Sequence, residues 1–375
     1  MKRYIIWHDN DFDLAIWLRD NSVLHDQDVE YRSIPKTNSC AQIIESFSDP
    51  VTVTVLPFIR LETPDIILQE IDTSTNVNKV VCVAELMTHT PQWQHPAQRF
   101  SRLYNSSKLG VPSALILPHK KTKWERGQRE SYKDVSYTCS PSVYELFVET
   151  TRKHKTPTLI FSWPDHDGYL KYHPLHPTSP FISDDINNWF DFFNQCVLKS
   201  GNLSSNDVSG ILRNMESRAV EVDIHQFATI DSIRNTEDVI TSLKLNPELL
   251  TEDFKHNQES LIFVPSGLVC ASSEMRTDPY AGMLCAFDIL FCRDNNGNKI
   301  RNLVFVAKDV YKKRINFKMM RHNISECPFE HNKIVSQEHL NECPYTQPKY
   351  RRIYGEIADI IKFEDCVVHD NRIIQ

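Results

Sequence analysis

Glycine is scarce in this chain, at nine of 375 residues. None of the nine forms a GxxxxGK or GxGxxG loop, whose backbone N–H groups close around a phosphate, which argues against nucleotide hydrolysis on such a loop. Long apolar runs are also missing: no stretch approaches the ~20 consecutive apolar residues that cross a bilayer. The opening residues, MKRYIIWHDNDFDLAIWL, are too acidic for a secretory leader and meet no small-residue cleavage site, so a cytoplasmic location is expected. Excess positive charge is absent too. Forty-two Lys and Arg face 49 Asp and Glu, for a formal net charge of −7. That total does not announce a nucleic-acid binder, yet the local charge of a cleft matters more than the sum.

What is present suits a soluble globular protein, 41% hydrophobic and 24% charged, of one large domain or two ordinary ones. Ten cysteines are scattered rather than clustered. Cys82 and Cys285 lie inside apolar runs, where a free thiol behaves as a small hydrophobe, so a reducing compartment is expected rather than a disulfide framework.

The periodicities predict an α/β core. FDLAIWLRD has helical spacing, and VTVTVLPFI alternates as a strand. PDIILQEID and NKVVCVAEL read as strands. HPAQRFSRLYNSSKLG reads as a helix, opened by Gln98-Arg99 and stopped at Gly110, and VPSALILP as a further strand. Residues 119–134 read as a long exposed loop, PSVYELFVETTRKH as a helix, TPTLIFSW as a strand and DDINNWFDFFNQCVLKSG as an amphipathic helix. The His-rich stretch 164–176 reads as irregular connection. The polar residues 199–210 read as a linker, giving a first domain over 1–200 and a second over 201–375. The second holds ESLIFVPS, AGMLCAFDILFCR, a DNNGNK turn and the strand RNLVFVAKD.

Glu85 is a carboxylate inside an apolar strand, and a buried carboxylate requires a compensating partner. Asp65 heads the preceding strand, twenty residues earlier. If the two strands pair antiparallel across the polar loop DTSTNVN, both acids face one side at one end of the sheet. Two hard oxygen ligands with room for water suit Mg²⁺. The bland alternative is an acid neutralised by Arg99. Glu70, on the strand of Asp65, is a reserve ligand but is expected on an exposed face. Asp278 and Asp288, with Lys308 on the next strand, form another candidate metal site.

The constellation Pro64-Asp65, Glu85, Pro91, Gln98-Arg99 and GVPSALI resembles a group of PD-(D/E)xK type II restriction endonucleases, and RTDPYAGMLCAFDILFCR resembles a block of the same proteins. The resemblance implies a restriction-endonuclease-like mixed-sheet core with flanking helices, joined to a second α+β region for recognition or dimerisation. It further implies Mg²⁺ held by Asp65 and Glu85, Gln98 and Arg99 orienting water or the scissile phosphate, double-stranded DNA as substrate and a homodimer. One position departs from the pattern: Met87 stands where the family's lysine belongs, two residues after Glu85.

Residues 327–343 place Cys327, His331, His339 and Cys343 in C-x3-H-x7-H-x3-C spacing, which suits a structural tetrahedral Zn²⁺. The stretch also resembles a CHHC zinc finger. Two basic segments offer phosphate contacts. One carries Lys120, Lys121, Lys123 and Arg126 around Trp124; the other carries Lys312, Lys313 and Arg314 beside Tyr311 and Phe317. Two alternatives to the nuclease stay open: an inactive nucleic-acid-binding protein with a structural Cys/His zinc site, and an interaction protein whose acids are salt-bridged.

Overall fold

A computed structural model describes residues 2–9, 12–35, 49–59, 61–75, 77–87, 94–124, 132–136, 139–164, 184–222, 230–264, 278–306, 354–362, 367–370 and 372–374. The chain divides into two compact units, each mixed α/β. The first takes in Met1–Lys36 and Asp49–Glu221, and the second takes in Val222–Gln375.

The first unit runs β1 (Lys2–His8), α1 (Phe12–Asp20), β2 (Val29–Ser33), α2 (Pro50–Val55), β3 (Ile66–Asp72), β4 (Val77–Leu86), α3 (Gln94–Lys108), β5 (Ser113–Trp124), β6 (Tyr132–Ser136), α4 (Pro141–His154), β7 (Thr158–Pro164), α5 (Asp184–Leu198) and α6 (Ser209–Arg218). Its seven described strands form one mixed sheet in the order β2-β1-β3-β4-β5-β6, with β7 also paired to β5. β1, β3 and β4 form an antiparallel meander. α3 then carries the chain to β5, which lies parallel to β4. β4 reads VVCVAEL because it is buried on both faces, as sheet-centre strands are. α3 and α5 both pack on it. α3 contributes the buried Phe100, Leu103 and Tyr104, and α5 contributes Trp189, Phe192 and Phe193. Gly110, at φ +74, ends the turn after α3 as expected.

Four local expectations change. VTVTV is helical, not extended. Asp49 caps it, accepting from the Thr52 N–H at 2.9 Å, and Pro50 sits in its first turn, so end chemistry overrides the alternation. α3 begins at Gln94, one residue before the expected stretch and four before Gln98-Arg99, which lie in its second turn rather than opening it; its Pro96 is tolerated in a first turn. The expected loop 119–134 is in part a ladder: β5 continues to Trp124 and pairs with β6 from Lys120↔Ser136 to Trp124↔Tyr132. Lysines are common on such peripheral strands, where charge discourages edge-to-edge pairing.

The expected linker is packed structure, and the boundary falls at 221/222 rather than 200/201. α6 packs on α4, with Arg152 Nη2 2.9 Å from Glu216. Gly201, at φ +78, approaches β4 so closely that a Cβ there would stand 3.0 Å from the Val81 Cα. Gly201→Ala is therefore expected to lose more than the ~1–2 kcal/mol of a left-handed backbone alone. Gly110→Ala, which meets open space, should lose only that backbone term. Urea denaturation of the two variants makes the comparison, and equal losses would refute the close-packing account.

The second unit runs β8 (Ile230–Asn235), α7 (Thr236–Ser242), α8 (Glu252–His256), β9 (Glu259–Phe263), α9 (Asp278–Phe291), β10 (Arg301–Val306), β11 (Ile360–Lys362), β12 (Val367–His369) and β13 (Arg372–Ile373). Its sheet order is β13-β12-β11-β10-β9-β8, with parallel pairing among β9, β10 and β11. Its core is aromatic: Phe263 meets Phe287 edge-on at 4.9 Å and stacks on Phe305 at 5.5 Å.

Candidate active site

β1, β2, β4, β5 and β7 all point their carboxyl ends the same way, and β3 starts at that end. Asp65 lies just before β3 and Glu85 near the end of β4. The register Ile66↔Ala84, continued by one residue, sets the two acids opposite each other, where side chains share a face. Their contacts are reciprocal. The Asp65 N–H donates to Glu85 Oε2 at 3.2 Å, and the Leu86 N–H donates to Asp65 Oδ2 at 2.7 Å. Asp9, just after β1, closes the group, its N–H donating to the Asp65 carbonyl at 3.0 Å.

The cations come from α3. Arg99 and Arg102 are three residues apart and so share a helix face. Arg99 Nη1 lies 2.8 Å and Arg102 Nη1 2.7 Å from the same oxygen, Glu85 Oε1. Arg102 Nε also lies 3.5 Å from Glu62 Oε2. Glu62 and Arg102 were missing from the sequence-level site; the signal available for the second was the R-x-x-R spacing. Gln98 lies on α3 one residue before Arg99, and its side chain is outside the described residues.

Glu85 is fully buried. That burial, reinforced by the Asp65 charge, pushes its carboxyl up to about 8 against the opposing pull of Arg102 and Arg99. Burial also raises Asp65, with both arginines again pulling the other way. The sign for stability follows. Between the ordinary carboxylate value near 4.5 and about 8, the folded chain holds a proton that the unfolded chain has lost. Stability is therefore greatest at the acid side of that window and declines as pH rises through it. With a chelator present, denaturation midpoints should fall from pH 5 to pH 8, and Glu85→Gln should flatten much of the slope. An equal slope in the variant would count against Glu85 as its source.

Mg²⁺ takes one or two protein carboxylates and keeps several waters, and Asp65 and Glu85 meet that minimum. Three carboxylates (Glu62, Asp65 and Glu85) face two guanidiniums. Among the described residues no group of three metal-ligating side chains is placed to hold an ion, so two carboxylates completed by waters are the most this site offers one. Met87, where the resemblance calls for lysine, is buried, and its N–H donates to the Ile116 carbonyl at 2.8 Å.

The other candidates separate. Glu70 is buried rather than exposed and fully engaged: Lys2 at 2.9 Å, Lys79 at 3.7 Å, the Tyr4 hydroxyl at 3.2 Å and the Ser200 hydroxyl at 2.9 Å. Asp288 is buried on α9 and, like Glu85, is ion-paired, with Arg293 Nε 2.5 Å away and Lys299 at 4.0 Å. The Asp278 side chain and Lys308 lie outside the described residues, as do Cys327, His331, His339 and Cys343 of the zinc motif and Arg126, Lys312, Lys313 and Arg314 of the basic segments. Lys120, Lys121 and Lys123 are placed on β5 by register alone.

No protein-family model, no curated protein and no solved structure matches the chain.

Proposed function

We propose that this protein is a Mg²⁺-dependent endonuclease that hydrolyses phosphodiester bonds of double-stranded DNA, of the type II restriction class. One observation carries the reading: Asp65 and Glu85 lie side by side at the carboxyl ends of parallel strands, and two arginines converge on Glu85. Ligands of open α/β sheets gather at that end. The first unit's mixed sheet with flanking helices is compatible with the mixed-sheet core that the resemblance implies.

Asp65 and Glu85 would hold the ion, which when bound supplies an activated water and neutralises charge developing on the phosphate. The chain's own residues do the rest. Asp65 and Glu85 fix each other's position through the main-chain bonds just described. Arg99 offers a planar donor pair matched to a phosphate. Positive charge thus reaches the site from α3 rather than from a lysine on β4, which Met87 replaces. Lys120, Lys121, Lys123 and Arg126, with Lys312, Lys313 and Arg314, would position the duplex through its backbone. A homodimer would match a two-fold recognition sequence. Cys327, His331, His339 and Cys343 would hold a structural Zn²⁺, expected as one zinc per chain by elemental analysis and lost in Cys343→Ser; full zinc in that variant would remove this part.

Incubation of plasmid or phage DNA with and without Mg²⁺ tests the reading, which expects defined fragments only with the ion. Tight binding without cleavage would favour the second reading, an inactive nucleic-acid-binding protein, for which the buried Met87 is the supporting observation.

A further inference from the structure

The two arginines on Glu85 Oε1 are not equivalent. Arg102 has a second acid, Glu62, and both side chains are withdrawn from solvent, at 19% and 6% exposure. Arg99 is the more exposed, at 29%, and among the described residues Glu85 is the one acid within ion-pair distance of it. Departure of Arg102 would take a cation from two buried acids, whereas departure of Arg99 would take one from Glu85 alone.

We propose a division of labour resting on the nuclease reading. Glu62 and Arg102 form a fixed positioning pair that holds the Glu85 carboxylate against Asp65. Arg99 is the exchangeable partner, leaving Glu85 for a backbone phosphate of the nucleic acid once the carboxylate pair is engaged by a divalent cation. Arg99 and the cation compete for Glu85, and the phosphate removes that competition by taking Arg99. Cation and nucleic acid therefore tighten each other's binding, and the coupling is reciprocal.

Calorimetric titration of Mn²⁺ into the full chain, with and without a duplex carrying non-hydrolysable phosphorothioates, tests this. In the wild type the duplex should tighten Mn²⁺ binding about 5–150-fold. Arg99→Gln should bind Mn²⁺ alone at least as tightly as the wild type, bind the duplex less tightly and lose the coupling. Glu62→Gln and Arg102→Gln should weaken Mn²⁺ binding about 10–100-fold, the scale for groups that orient a metal ligand, and Arg102→Lys should restore part of it. Should Arg102→Gln fail to fold, as judged by its melting curve, Glu62→Gln and Arg102→Lys carry the test. Arg99→Gln and Arg102→Lys behaving alike in both titrations, or Glu62→Gln taking up Mn²⁺ like the wild type, would overturn the division. If the wild type still cleaves DNA with Mg²⁺, the nuclease reading survives that result. A wild-type chain that takes up no cation and cleaves nothing ends both.

Discussion

Asp65→Asn and Glu85→Gln are each expected to slow Mg²⁺-dependent DNA cleavage about a thousandfold, at the upper end of what removal of one transition-state-stabilising group costs. Both changes keep the side-chain shape, so the fold should survive. The carboxylates are opposed across β3 and β4, and each accepts a main-chain N–H from the other's strand; an amide keeps an acceptor oxygen for that bond but brings no negative charge to a cation. Glu70→Gln is the matched control. Glu70 is as buried as Glu85 but on the neighbouring strand β3, where it is engaged by Lys2, Lys79, Tyr4 and Ser200; burial of the Tyr4 phenol, with the Glu70 charge beside it, pushes that phenol up to about 12. Its loss should leave the cleavage rate within a few-fold. Gel-resolved initial rates at saturating Mg²⁺ make the comparison. Equal effects at Glu70 and Glu85 would mean that the loss reflects folding rather than chemistry.

Above about pH 8, where folded Glu85 is ionised, Arg102→Ala is expected to cost the fold about 3–5 kcal/mol, the range for breaking a buried ion pair from one side. Arg102 serves two acids, Glu85 at 2.7 Å and Glu62 at 3.5 Å, both nearly inaccessible to water. Truncation leaves Glu85 with Arg99 alone and removes the guanidinium between the two acids. For a unit of this size the loss corresponds to a melting temperature lower by about 6–20 °C. Arg99→Ala should cost less, because its side chain is more exposed and Glu85 keeps Arg102. Thermal melts in chelator rank the two, and a larger loss for Arg99 would reverse the assignment of the anchored partner. Lower pH should soften the Arg102→Ala defect, since a protonated Glu85 no longer needs the guanidinium.

The parts of the site differ in how far they could be read before the fold was known. Glu85 was legible because a lone acid in VVCVAEL breaks an otherwise apolar strand. Asp65 followed from its place at the head of the neighbouring strand. Arg102 was not legible as a partner of Glu85, because R-x-x-R on a helix marks a shared face without saying what that face meets. Glu62 gave no sign, since an acid two residues before a proline is ordinary loop chemistry. Glu70 was misplaced on an exposed face: the cations and hydroxyls that compensate it come from β1, β4 and the turn after α5, up to 130 residues away.

The same division runs through the fold. Local chemistry alone determined α4, whose Pro141 and basic last turn mark both ends, the stop at Gly110, and the apolar strands β3, β4 and β5. These depend on contacts within a few residues, where periodicity and end-capping act. Tertiary structure decided that 199–210 packs rather than links, and that Asp65, Glu85, Arg99 and Arg102 meet; VTVTV is a helix for a local reason, the Asp49 cap and Pro50, which its alternation masked. Strand register and helix docking are set by burial summed over distant segments, and no local pattern encodes that sum.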